Sequence, residues 1–135
     1  AVLYDGSYHP VDSSEIAFTT AANLAYKAAM PEASPVLLEP VCELKVTVPD
    51  QYMGDILGDL NKRRGRVMGM TPPGNGEQVI EAECPEAELM RYAIDLRSMT
   101  QSRGSFVMLF VRYEQCSADA QAKAVAAAKA MQEAE

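Results

Sequence analysis

The sequence holds a single histidine, and its three cysteines, Cys42, Cys84 and Cys116, stand far apart with no CxxC pair among them. Such sparse ligands exclude a zinc cluster and a disulfide framework, and they point to a reducing compartment. With one histidine there is no Ser/His/Asp or Cys/His set, and no GxxxxGKS/T phosphate loop occurs. These absences leave no basis for an independent enzyme and no metal site. No apolar run approaches the ~20 residues needed to cross a bilayer, and no basic and apolar leader opens the chain. The expectation is a cytoplasmic protein. Positive charge is also short: the formal net charge of -7 argues against a general nucleic-acid coat.

Apolar residues are plentiful. They make up 48% of 135 residues, enough for one ordinary domain, or a small domain with attachments, to bury a core. The basic residues are unevenly spread, since seven of the twelve lie between Lys62 and Arg103. This spacing leaves room for a local basic face on an acidic molecule.

The stretch from Tyr92 to Phe110 organises the rest. Leu89, Met90, Ala93 and Leu96 recur at helical spacing, and Phe106 to Val111 form the unbroken apolar run of a central strand. Between them Gln101-Ser102-Arg103-Gly104 is a small, polar, flexible loop bracketed by Arg97 and Arg103, suited to close approach by a flat or charged partner.

Before this, Ala1 to Tyr4 reads as the last half of a strand and Asp5 to Pro10 as a turn-rich loop. Asp12 and Glu15 fit a capping box that starts a helix near Ser13, with its apolar stripe ended by Pro31. One strand and one helix do not complete packed layers, so this segment reads as the tail of a larger domain. His9 is either a contact residue on a projecting loop or an ordinary exposed turn residue.

From Val36 to Tyr113 a complete small domain is predicted. Val41 to Val48 alternates, with Leu44, Val46 and Val48 inward. Asp50 caps a helix whose buried stripe is Tyr52, Met53, Ile56, Leu57 and Leu60, with Gly65 as its left-handed C-terminal residue. A strand at Val67–Met70, a hairpin loop at Pro72–Gly76 and a return strand at Gln78–Cys84, with Ile80, Ala82 and Cys84 inward, come next. Pro85 opens the second helix and Ser105–Tyr113 closes the unit. The order is that of the α+β ferredoxin-like sandwich, a four-stranded antiparallel sheet with two helices on one face. Ser117 caps a last, alanine-rich helix reaching Glu133.

The run Lys62-Arg63-Arg64-Gly65-Arg66 has two readings. Cations complement the dipole at a helix C-terminus, and four cations in five positions suit phosphate contact. Glu81 and Glu83 read as a solvated sheet face rather than an acid/base pair. Phe106, Phe110 and Tyr113 lack an RNP pattern around them, so core packing is preferred over base stacking.

Several stretches together resemble the C-terminal part of bacterial elongation factor G and its paralogues, the translational GTPases. They are Leu3-Tyr4-Asp5-Gly6-Ser7-Tyr8-His9, Pro35 to Pro40, Tyr52-Met53-Gly54-Asp55, Gly58-Asp59-Leu60-Asn61 with Arg63-Arg64-Gly65, and Tyr92-Ala93 with Asp95-Leu96-Arg97-Ser98 and Thr100-Gln101 with Arg103-Gly104. The resemblance implies that 1–33 end a fourth domain, a partial ribosomal-protein-S5-like fold, and that 36–114 are a ferredoxin-like fifth domain; the alanine-rich helix of 115–135 carries little of it. It implies a ribosome-binding piece of a factor that promotes tRNA–mRNA translocation, with GTP and Mg belonging to a separate GTPase domain and no cofactor here. Gly6, Ser7, Tyr8 and His9 become the decoding-site tip that meets tRNA and mRNA. Lys62, Arg63, Arg64, Arg66, Arg97, Gln101 and Arg103 become candidates for large-subunit rRNA near the stalk base and sarcin-ricin loop. Pro10, Glu86 and Thr71-Pro72-Pro73 depart from the family's usual residues. The rival reading is a stand-alone ferredoxin-like module for a small ligand or protein partner.

Overall fold

The computed structural model describes residues 1–134, which fall into two compact units, the first Ala1–Val36 and the second beginning at Leu37. In the first, Ala1 to Tyr4 form no strand, contrary to expectation. Helix α1 spans Glu15–Glu32 and is capped by Ser14, whose Oγ accepts from the Ala17 N–H at 3.1 Å. Asp12 is not the cap, because the helix begins two residues later than Ser13. The Ser13 hydroxyl serves the preceding loop instead, accepting the His9 N–H at 2.8 Å. Pro31 lies inside the last turn rather than stopping the helix. It removes a single ladder donor there, and the Ala33 N–H closes the end on the carbonyls of Ala29 and Met30. No residue of α1 is buried.

The second unit contains the core. Strand β1 (Leu38–Pro49) leads through a 3-10 turn at Asp50–Tyr52 into α2 (Met53–Lys62). Strands β2 (Arg66–Gly74) and β3 (Glu77–Pro85) form a hairpin, a second 3-10 turn covers Glu86–Leu89, and α3 (Tyr92–Met99) precedes β4 (Ser105–Gln115). The sheet order is β2-β3-β1-β4 with every pair antiparallel. Leu44, Val46 and Val48 of β1 and Ile80, Ala82 and Cys84 of β3 are fully buried on one face, against Ile56 and Leu60 of α2 and Tyr92 and Leu96 of α3. Alternation in two adjacent strands aims one side chain in two at the helices, and burying each large one contributes about 1.5–3 kcal/mol. This is the expected ferredoxin-like sandwich. Beyond it α4 spans Ala118–Glu133, with Ser117 Oγ accepting from Ala120 N–H at 3.3 Å.

Five local expectations are corrected. The apolar run Phe106–Val111 is an edge strand, not a central one. Leu109 and Phe110 are 57% and 56% exposed, and the middle of the sheet is β1 and β3. A run without alternation reads as burial on both faces, but here only Phe106 packs on the core, against Tyr92, and Val107 to Val111 stay exposed among the described residues. The helix predicted to open at Pro85 starts as a 3-10 turn and resumes at Tyr92, and this change of winding shifts the phase of the stripe. Met90 and Ala93 are therefore exposed, while Tyr92 takes their place in the core.

The third correction concerns Gly65. The left-handed residue after α2 is Arg64 (φ 60°), whereas Gly65 is required for space, since a Cβ there would lie 2.8 Å from the Leu60 carbonyl oxygen. Asp50 belongs to the 3-10 turn rather than capping α2. The hairpin loop is tighter than Pro72–Gly76: pairing resumes at Gly74 opposite Glu77, and Asn75 and Gly76 turn with positive φ. Pro72 and Pro73 fit because β2 is an edge strand with a register shift between Thr71 and Gly74.

Candidate functional site

The predicted contact residues of the second unit lie at two opposite ends of the sheet. Arg64 reaches Glu39 at the start of β1, while a Cβ at Gly104 would meet Val48 near its end. The nine steps between Glu39 and Val48 amount to roughly 30 Å of strand. The two groups are separate surfaces.

At the α2 end the three arginines are already paired. Arg63 Nε lies 2.7 Å from Asp59 Oδ2, one of its Nη atoms donates to the Glu88 carbonyl at 2.7 Å, and the other lies 2.6 Å from Asp95 Oδ2. Its guanidinium also sits 5.1 Å from the Tyr92 ring centre. Burial by itself lowers the Arg63 pKa, but the hydrogen bonds to Asp59 and Asp95 outweigh it and the group is held charged. Arg64 forms a two-point pair with Glu39 at 3.0 and 3.1 Å and a third contact with Glu88 at 3.2 Å. Arg66 shares Glu83 with Arg112. These two arginines hold the Glu83 carboxyl down to about 2, with Arg112 contributing the most.

Arg112 and most of the acidic partners carry no signal in the sequence. Only Asp59 has a readable one, standing four residues before Arg63 on one helix face. Lys62, exposed at the end of α2, has no ion pair among the described residues.

At the other end the loop after α3 is built by Thr100. Buried completely, its hydroxyl donates to the Leu96 carbonyl at 2.7 Å and accepts the Gly104 N–H at 2.9 Å. The Ser102 N–H bonds the Arg97 carbonyl and the Arg103 N–H the Thr100 carbonyl. This closes a tight turn in which Gln101 (φ 52°) and Ser102 (φ 65°) are both left-handed. Gly104 lacks room for any side chain, since a Cβ would meet Thr100 Oγ1 at 2.9 Å and Val48 Cγ1 at 3.1 Å. Gln101 and Arg103 are exposed on this turn and Arg97 in the last turn of α3, and neither arginine has an ion pair among the described residues.

In the first unit the loop Gly6, Ser7, Tyr8 and His9 is exposed throughout. Asp5 Oδ1 accepts the Gly6 N–H at 2.8 Å. His9 and Ser13 bind reciprocally, through the His9 N–H to Ser13 Oγ and the Ser13 N–H to the His9 carbonyl at 3.0 Å. Tyr8 stacks on Phe18 with ring centres 6.5 Å apart and planes at 17°. The loop is therefore pinned at its base while His9 stays exposed. Among the described residues no group of His, Cys, Asp and Glu is arranged to hold a metal, and no helix is long and apolar enough to cross a membrane.

Comparison with known proteins agrees with this division. Residues 36–124 match the family described as elongation factor G C-terminus, and residues 1–34 match elongation factor G, domain IV. A crystal structure of a protein from Thermus thermophilus is 44% identical and superposes with a TM-score of 0.77, covering 89% of this chain and 18% of that one. The chain thus spans under a fifth of the length of that relative. With its two matched regions together reaching from residue 1 to residue 124, the chain belongs to the elongation factor G family.

Proposed function

We propose that this chain serves protein synthesis as a ribosome-binding element of a translational GTPase that promotes translocation. The GTP-dependent step would belong to another domain, and these residues would carry grip and reach. The observation that carries the reading is the loop Arg97–Gly104. It offers two arginines without an ion pair among the described residues, Arg97 in the last turn of α3 and Arg103 beside Gln101 on a turn fixed by Thr100 and Gly104, which suits a phosphate-rich surface because little ordering remains to be done on contact. Large-subunit rRNA is the partner this chemistry fits. The loop Gly6–His9, held at its base by Ser13, would enter the decoding site beside tRNA and mRNA.

The α2 end takes a smaller part. Arg63, Arg64 and Arg66 are engaged by five carboxylates of the same domain. Contact with RNA there would require exchanging those partners, so Lys62 is the readier cation. The test is co-sedimentation of the chain with ribosomes across a salt series. Arg97→Ala and Arg103→Ala, alone and combined, should weaken retention and lower the salt slope by about one per lost phosphate contact, with unfolding midpoints unchanged. Retention as strong as the parent's in the double variant would overturn the assignment.

A further inference from the structure

Cys42 in β1 and Cys84 in β3 are directly opposite each other in the antiparallel ladder. Both are buried on the core face, at 2% and 0% exposure, and both belong to the cluster packed beneath α2 and α3. Residues opposed in this way have Cα atoms about 4.5–5.5 Å apart, inside the roughly 4.4–6.8 Å that a disulfide spans. In this structure both are free thiols. The Cys84 thiol donates to the Arg63 carbonyl at 3.2 Å, at the residue where α2 ends.

We propose that Cys42 and Cys84 form a redox-sensitive pair that a small-molecule disulfide converts to a cross-strand bridge. In the exchange one thiolate attacks the oxidant and expels its first thiol, giving a mixed disulfide. The second thiolate then attacks the protein-bound sulfur and expels the other thiol. Two protein thiols are oxidised, one small disulfide is reduced to two thiols, and the two protons leave with those thiols. Burial keeps the pair reduced in the closed fold and confines the reaction to moments when the sheet opens or folds.

Closure would have a local consequence. The bridge removes the thiol donor from the Arg63 carbonyl, and that residue also ties α2 to Asp95 of α3. Oxidation in the core would therefore be felt at the end of α2, where Lys62, Arg64 and Arg66 project.

The test uses the 135-residue chain carrying Cys116→Ser, so that only the opposed pair remains. The chain is refolded from denaturant into a mixture of reduced and oxidised glutathione, and the same mixture is applied to chain kept in denaturant. Thiols are then trapped and the peptides mapped by mass. A Cys42–Cys84 bridge enriched about tenfold or more in the refolded chain, with Cys42→Ser and Cys84→Ser each abolishing it, establishes the pair. Equal or lower bridging in the refolded chain, or glutathione adducts alone, overturns it. A hydrogen-exchange difference at Arg63–Arg66 between bridged and reduced chain tests the coupling, and its absence removes that part.

Discussion

One Nη atom of Arg63 lies 2.6 Å from Asp95 Oδ2 and so joins the residue that ends α2 to the middle of α3. The same guanidinium holds Asp59 and the Glu88 carbonyl, and only 14% of the side chain is exposed. A cation in this position fastens the two helices to each other over the sheet.

Arg63→Ala should accordingly cost about 1.5–3 kcal/mol in urea unfolding, because it strands carboxylates and a carbonyl that are partly shielded from water. Arg97→Ala should stay within about 0.5 kcal/mol of the parent. Equal stabilities for the two variants would mean that Arg63 is no more structural than a surface cation.

Acid should weaken the fold through Glu83. Its folded pKa is held at about 2 by Arg112 and Arg66, below its ordinary value of 4.5, so the folded state favours the charged form. That contribution is complete above the ordinary value and fades as pH falls from about 5 towards 2. Unfolding midpoints measured at neutral pH and near pH 3 should draw closer together in Glu83→Gln than in the parent. Identical acid dependence in both would place the sensitive group elsewhere.

Glycines separate by what surrounds them. A Cβ at Gly58, within α2, meets nothing within 4 Å, so Gly58→Ala should stabilise by about 0.5–1 kcal/mol through helix propensity. Gly65→Ala, 2.8 Å from a backbone oxygen, should destabilise by about 1–3 kcal/mol. Thermal unfolding of both variants is enough to check the opposite signs.

Gly104→Ala should disturb the loop before the domain. Its methyl group would press on Thr100 and Val48, breaking the bond that fixes the turn. Ribosome retention should fall together with amide protection at Ser102–Gly104, while protection in β1 and β3 persists. Loss of protection across the whole sheet would instead mark Gly104 as a core residue.

Much of this architecture is legible in the sequence where the period is local. Leu44, Val46 and Val48 alternate with Glu43, Lys45 and Thr47, and that alone places the inner face of β1. The edge position of β4 is not legible, because six consecutive apolar residues carry no sign of which faces find a partner. The basic run shows the same limit at the level of the site. Asp59 is visible at four residues from Arg63, but Glu39, Glu88 and Asp95 reach that end only through the fold. A sequence reading that counts cations without their distant partners overstates how many are free. Thr100 is similarly hidden, as a single hydroxyl gives no pattern until its two hydrogen bonds exist.

The strand order sets the sequence of events in folding. Only β2 and β3 are joined by a short turn, while β1 pairs with β3 and, by Leu38 with Gln115, with a strand almost a whole domain away. The hairpin can therefore form early, but β1 stays open on one side until β4 has been made and brought back across it. Such non-local closure is slow, and during synthesis it waits for nearly the full length of the domain. Until then the central strand offers an unpaired edge, which makes the last strand the step that decides between a finished sheet and pairing with another chain.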